Sequence, residues 1–342
     1  MAANIFKIEK GFISMTFSRI IAVLRNNIIH VVFVLLFILI LCIIALRLHA
    51  WDNSASSVDL SDVDSSAFDR EVLDYFTPYT YSGDPVNDQD ETVIAFFGNS
   101  PFADDAGTDD CLAEMIGDLA DATVYNFAVA DSTLACEDTE IDYENGGRDL
   151  FGLYWLTTLY TVDNDVLLQY AKEYGSYSTE DIAVLSMLCN LDFTDVDVIA
   201  IMYDLSDYLE VRKMYSYEET TDITRFAGAL EASIDLIQTY YPHIQIIVMS
   251  PTYGYVVAAD GSYQDSAQVT FDDEGTLGSY VQYEADVCYS KFVSFVDNYY
   301  GTISVEEADA YLLDNKHISV EGRRLLAERF MEAFEYYLKY QA

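Results

Sequence analysis

From residue 92 onward the chain repeats one pattern: a short, uninterrupted apolar run, a polar turn, then a longer segment with helical periodicity. The apolar runs are Thr92–Phe97 (TVIAFF), Thr123–Val129 (TVYNFAV), Val196–Met202 (VDVIAIM) and Ile244–Met249 (IQIIVM). A strand covered on only one face alternates apolar and polar residues, whereas a strand covered on both faces reads as a continuous apolar run. Helical spacing marks Asp110–Ala120, Arg148–Thr161, Thr179–Cys189, Ile223–Tyr240, Leu277–Phe292 and Val320–Tyr340, and Val293–Val296 predicts a short fifth strand. Strands that alternate with helices predict an α/β domain, a parallel sheet with helices on both faces. Ligand sites in such sheets form at the carboxyl ends of the strands. The segment Pro251–Gly275 reads as a loop near that rim.

The residues before this pattern have a different character. Ile28–Leu46 (IIHVVFVLLFILILCIIAL) is 19 residues long and holds no formal charge. As a helix it spans about 28 Å, close to the thickness of a bilayer core. Lys7, Lys10, Arg19 and Arg25 precede it, and the chain turns acidic after Arg47. Positive charge on the cytoplasmic side then predicts a single-pass protein of the cell membrane, with its N-terminus cytoplasmic and its main domain extracellular. A cleaved signal peptide, which would release the domain, is the competing reading, but the apolar run is long for one and no clear A-x-A site comes after it. Trp51–Ser66 is rich in Ser and Asp and reads as a solvated tether. Asp69–Glu91 is transitional, with a short helix expected to pack on the domain. The expected organisation is a cytoplasmic segment (1–27), a transmembrane helix (28–46), a linker and transitional segment (47–90) and an extracytoplasmic domain (91–342).

Charge narrows the partners. The chain has a net charge of −41, and after residue 50 it holds 12 basic and 57 acidic residues. A surface so acidic repels phosphate backbones and anionic headgroups, so no nucleic acid partner is expected. The pairs Asp104-Asp105 and Asp109-Asp110 fit no calcium-loop spacing and read as a solvated helix start. No metal or organic cofactor is implied. Cys111, Cys136, Cys189 and Cys288 lie beyond the apolar run that holds Cys42. They read either as disulfides, with Cys111 and Cys136 the favoured pair, or as buried thiols.

Nucleophilic acyl chemistry needs a hydroxyl or thiol, a base and a group that orients the base. The chain has four histidines. His30 is in the apolar run, His49 is beside it, and His243 precedes the fourth strand, at the wrong end of the sheet. His317 remains, with Asp314 three residues earlier and the last helix just after. The matching hydroxyl is Ser100, where the first strand turns through Gly98 and Asn99 towards a helix. Read without function, Ser100 is a helix cap and Asp314–His317 is a turn.

In their order these segments resemble the four blocks of the SGNH (GDSL-type) hydrolases. FFGNSPFADD resembles the GDS block, Asn126–Thr133 (NFAVADST) the N-x-G-x-x-G-x-T block, Tyr203–Tyr208 (YDLSDY) the G-x-N-D block, and DNKHISVEGRRLLAERF the D-x-x-H block with its closing helix. The fourth strand ends in MSPTY, as that strand commonly does in the family. The resemblance covers about residues 92–335. It implies a flavodoxin-like parallel five-stranded sheet (the SGNH hydrolase fold), Ser100 as nucleophile, His317 as base and Asp314 as its orienting acid. It also implies an oxyanion hole from the Ser100 N–H, the Asp131 N–H and the Ser206 side chain. Asn99 stands for the family's Asp, Ala128 and Asp131 stand for its second-block glycines, and Ser206 stands for its third-block Asn. Asp204 and Asp207 also read as surface acids. The implied function is an extracytoplasmic serine esterase or acyl-transferase acting on an ester-bearing envelope glycan or small ester, with a membrane acyl-transfer partner. The alternative is a degenerate member that binds glycan or an envelope-assembly partner.

Overall fold

The computed structural model describes residues 32, 36–38, 40, 41, 72–78, 91–163, 165–271 and 274–341. The chain divides into two units, Met1–Asp69 and Arg70–Ala342. In the first, the described residues are helical and about half exposed. The expected membrane span lies outside the described residues apart from those six positions. Among the described residues no helix is long and apolar enough to cross a membrane.

The second unit is built on five strands, β1 (Thr92–Gly98), β2 (Ala122–Asn126), β3 (Val198–Met202), β4 (Gln245–Met249) and β7 (Ser294–Val296), all paired in parallel in the order β2-β1-β3-β4-β7. A separate antiparallel hairpin, β5 (Tyr255–Val257) and β6 (Tyr263–Asp265), lies in the segment expected to be a loop. Its turn holds Asp260-Gly261, with Gly261 at φ 83°, a common hairpin pair in a left-handed conformation. The helices are α1 (Ser100–Ala103), α2 (Leu112–Ala120), α3 (Leu153–Thr158), α4 (Val166–Tyr174), α5 (Thr179–Asn190), α6 (Ser206–Leu209), α7 (Phe226–Tyr240), α8 (Leu277–Lys291), α9 (Asn298–Gly301), α10 (Ala308–Tyr311) and α11 (Val320–Gln341).

The continuous apolar runs behave as their composition requires. Side chains alternate across a strand. Ile94 and Phe96 of β1, Ala200 and Met202 of β3 and Ile247 and Met249 of β4 enter one core with Leu112 and Ile116 of α2 and Leu326 and Phe330 of α11. Their neighbours Ala95, Phe97, Ile199, Ile201, Ile246 and Val248 enter the opposite core with α3, α5, α7 and α8. Each fully buried phenylalanine contributes about 1.5–3 kcal/mol relative to exposure, so Phe96 and Phe97, both completely buried, fasten β1 to both layers.

One expectation is corrected here, and another falls mostly outside the described residues. The part of the transitional segment that is described, residues 72–78, is not a helix. It runs extended past the outer strand: Tyr75 N–H donates to Phe295 O at 3.1 Å and Phe295 N–H donates to Tyr75 O at 2.6 Å, which occupies donors and acceptors that a bare sheet edge would expose. Cys111, Cys136 and Cys288 are free, buried thiols, so the expected Cys111–Cys136 pair does not form. Cys111 points into the core beside α2 and α11, with its thiol towards Phe102 O, while the Cys136 thiol faces Asp149 O. Burial pushes the Cys136 thiol upward, far from a reactive thiolate.

Candidate active site

β1 and β3 deliver the first part of the site. Gly98 has φ 155°, and a Cβ placed on it would stand 1.8 Å from Met202 O. Only glycine permits that approach, and with it Asn99 is laid over the end of β3. Asn99 is completely buried. Its Nδ2 donates to Ser132 O at 2.7 Å and to Asp204 Oδ1 at 2.8 Å, and its Oδ1 accepts from Asp204 N–H at 2.8 Å. The departure from the family's Asp at this position thus has a local reason. A second carboxylate facing Asp204 in a buried site would be strongly unfavourable, whereas an amide can donate to it.

Ser100 opens α1 and is 2% exposed. Asn99, not Ser100, occupies the cap position, and no side chain caps this helix. The capping role for Ser100 is therefore not what the structure contains. Its Oγ is buried and has no hydrogen-bond partner among the described residues.

The loop after β2 runs alongside. Val129 N–H donates to Gly98 O at 3.1 Å, and Asn126 Nδ2 donates to Phe102 O at 2.7 Å while its Oδ1 accepts from Ala128 N–H. Asp131 sits at φ 57°, in the left-handed region, as the family's glycine would. Aspartate is among the non-glycine residues that tolerate this conformation best. Asp131 is exposed. It borders a polar cleft of about 460 Å³ that also includes Thr133, Arg148, Asp149, Glu210 and Arg212.

Asp314 and His317 meet as the sequence predicts. His317 Nδ1 lies 2.6 Å from Asp314 Oδ2, and Asp314 Oδ1 accepts from the backbone N–H groups of Lys316 and His317, both at 2.8 Å. Burial pushes the Asp314 carboxyl upward, but these bonds and the adjacent imidazole outweigh it and hold the carboxyl below its ordinary range. An ionised carboxylate only accepts, so the proton belongs on Nδ1 and Nε2 keeps its lone pair.

Backbone bonds brace this loop, and α11, which follows it, reaches the serine turn. Tyr255 N–H donates to Asn315 O at 2.8 Å. Leu313 N–H donates to His317 O at 2.8 Å, closing the turn. Arg323, 2% exposed on α11, donates to Asp104 O at 3.0 Å and to Asp105 Oδ2 at 2.7 Å, just after α1. Asp104 in turn donates its N–H to Ser100 O at 2.9 Å. Burial raises the Asp104 carboxyl, while His317 and Arg323 pull against that rise. The serine turn is thus joined through Asp104 and Arg323 to α11, the helix that follows the histidine loop. A direct hydrogen bond from Ser100 Oγ to His317 is not among the contacts.

The third expected oxyanion donor, Ser206, is buried at the start of α6. Its N–H donates to Asp204 Oδ1 at 2.8 Å, and its Oγ accepts from Lys316 Nζ at 3.0 Å. Lys316 Nζ also lies 3.3 Å from Asp204 Oδ2. The reading of Asp204 and Asp207 as surface acids is overturned: they are 5% and 1% exposed. Asp207 accepts from the N–H groups of Leu134 and Ala135 at 2.8 and 2.9 Å, tying α6 to the loop after β2. Asn99, Asp204 and Lys316 were missed as site residues. The available signal was their position, directly after a buried strand or inside the D-x-x-H segment. His243 is far from this cluster in the fold, immediately before β4, and burial lowers its affinity for a proton. Among the described residues no group of three or more His, Cys, Asp or Glu is arranged to hold a metal ion.

No family model matches the chain, and no curated protein matches it. Solved structures do. One shares 20% identity, with 72% of this chain and 96% of that chain covered at a TM-score of 0.51. A protein from Lactobacillus plantarum shares 15% identity over 72% of this chain and 97% of its own, at 0.49. The lipase/acylhydrolase from Enterococcus faecalis shares 17% identity over 71% and 95%, at 0.42. The parallel sheet order, with the Ser100 turn after β1 and the Asp314–His317 loop before the closing helix, gives this chain the SGNH hydrolase fold.

Proposed function

We propose that the protein is an extracytoplasmic serine esterase or acyl-transferase, held at the membrane by Ile28–Leu46 and acting on an acylated envelope glycan or a related ester. The observation that carries the chemistry is the 2.6 Å contact of His317 Nδ1 with Asp314. It faces the same rim as a buried serine hydroxyl that has no hydrogen-bond partner among the described residues.

In this reading Ser100 Oγ adds to the ester carbonyl carbon. Its proton passes to His317 Nε2, and the carbonyl π pair moves onto oxygen as the oxyanion. Collapse of that intermediate breaks the bond to the alkoxy group, which takes the proton back from His317 and leaves an acyl-Ser100. Water, or an acceptor hydroxyl in the transferase case, then attacks the acyl group by the reverse sequence. Asp314 holds the imidazole in the required tautomer and favours the imidazolium. The Ser100 and Asp131 N–H groups have no acceptor among the described residues, which supports their roles as oxyanion donors.

The cleft beside Asp131 is walled by charged and hydroxyl side chains, which suits a hydroxyl-rich acceptor better than a long acyl chain. The uncharged 19-residue run and the basic residues before it support the anchor and the cytoplasmic N-terminus.

A second reading is a glycan- or partner-binding protein without turnover. It draws on Ser206 in place of the family's Asn and on the unbonded Ser100 Oγ. Hydrolysis of an activated acetyl ester by the detergent-solubilised full chain separates the two. The catalytic reading predicts turnover that falls at least about 1,000-fold in folded Ser100→Ala and His317→Ala variants. Activity that persists unchanged in both variants would sink it.

A further inference from the structure

We propose that the Lys316 ammonium is the side-chain donor of the oxyanion hole, in place of the amide that the family carries at the position of Ser206. This deepens the esterase reading above and rests on it.

The case begins with what lies at the sheet's carboxyl edge. Asp104, Asp131, Asp204 and Asp314 all occupy the strand-end loops or the histidine loop, and each would repel a developing oxyanion. Backbone N–H groups alone would have to work against that field. The nearby arginines are committed elsewhere. Arg323 is held by Asp104 O and Asp105, Arg148 by Asp181 and Ala130 O, and Arg212 by Glu210.

Lys316 is different. It lies between the two triad candidates of its own loop, Asp314 and His317, yet its head reaches across to β3's exit. Nζ stands 3.0 Å from Ser206 Oγ and 3.3 Å from Asp204 Oδ2, with the side chain 17% exposed. Asp204 is itself hydrogen-bonded to Asn99, the residue next to Ser100. The ammonium is therefore held two contacts away from the nucleophile's neighbour, at the residue whose position supplies the family's donor. An ammonium carries three N–H donors. The bond to Ser206 Oγ uses one and Asp204 holds the ammonium as an ion pair, so N–H donors remain for a substrate oxygen.

The chemistry favours this arrangement over the serine hydroxyl. A serine hydroxyl is a short, neutral donor. A hydrogen bond from a cation to an anion is roughly twice as strong as a neutral one, and a positive charge fixed before reaction lowers the energy of the oxyanion more than that of the neutral ester. Asp204 keeps the ammonium in place, and Asn99 keeps Asp204 in place. The departures at 99 and 206 thus form one set with Lys316, a rebuilt donor rather than a lost one.

The competing account makes Lys316 only the counter-charge of buried Asp204. Removing Lys316 alone would leave that carboxylate unpaired and could unfold the site, so the test removes both charges. Steady-state hydrolysis of an activated acetyl ester is measured for the full chain, for Asp204→Asn/Lys316→Met, and for the same double variant with Ser206→Asn. The expected result is a fall in kcat on the order of 100-fold in the double variant, with KM changed by less than about threefold, as when one oxyanion donor is removed. Ser206→Asn, which restores an amide donor, should return at least about 10-fold of that loss. A double variant with wild-type kcat, or a loss that Ser206→Asn leaves in full, overturns the proposal while the esterase reading stands. A wild-type chain without Ser100-dependent hydrolysis overturns both.

Discussion

Asp207 shows how a single acid can be structural while looking like a surface residue in the sequence. Burial pushes its carboxyl up to about 7, against the pull of two backbone N–H bonds and of Arg212. An unfolded aspartate titrates near about 3.9. The folded protein therefore binds this proton more tightly than the unfolded chain does. Its contribution to stability is fully present below about pH 4 and is lost as pH rises towards about 7. Asp207→Asn does not titrate, so the wild-type stability margin over that variant should shrink between about pH 4.5 and about pH 7.5 in urea unfolding. A margin that grows with pH would mean that the N–H groups of Leu134 and Ala135 hold a carboxylate at all these values. The sequence hid Asp204 and Asp207 because acids are so common after residue 50 that two more carried no weight. Their burial depends on loops that arrive from β1 and β2, which is tertiary information. Asp314 and His317 were legible because three residues of one turn suffice to bring them together.

Among the elements, the five strands of the parallel sheet were found with ends shifted by one to three residues (the second run, read to Val129, ends at Asn126), and the irregular pieces were not. β1, β3, β4 and the short fifth strand appear where the apolar patterning puts them, because burial on both faces leaves no other composition; β2, at the sheet edge, is only partly buried along its length. α4 was missed: within Val166–Tyr174 only Leu168 and Ala171 are buried, so its periodicity is thin. The β5–β6 hairpin was missed because its three-residue strands are half polar, although its Asp260-Gly261 turn was visible. The expected Arg148–Thr161 helix is broken into a 3₁₀ turn, α3 and a π-helical segment, Leu159–Asp163. At Gly98, β1 leaves the sheet against β3 with no room for a Cβ. Gly98→Ala must either move β3's backbone or abandon the Asn99 network. Its thermal midpoint should drop steeply, by more than about 3 kcal/mol in unfolding free energy, the scale of changes tied to backbone strain and core disruption. A variant within about 1 kcal/mol of wild type would mean that the β1 exit can open without cost to the fold.

On the scale of the whole molecule, the fold places every sequence-derived site residue on one rim of one sheet. Strand order does this without help from the charge pattern: β1 and β3 are central neighbours, so the loops that leave their carboxyl ends must meet. The carboxylates at that rim bear on the proposed reaction. A rim that carries several carboxylates favours a neutral ester over a phosphate or another anion. The central claim is that this rim contains an activated serine, and covalent labelling tests it most directly. A fluorophosphonate reacts with such a hydroxyl by forming an O–P bond and expelling fluoride, and leaves a tetrahedral adduct that the oxyanion donors can hold. Mass spectrometry of the labelled full chain should find one adduct, on Ser100, that is absent from Ser100→Ala and strongly reduced in His317→Ala. An unlabelled Ser100, or a label that survives in both variants, would contradict the account.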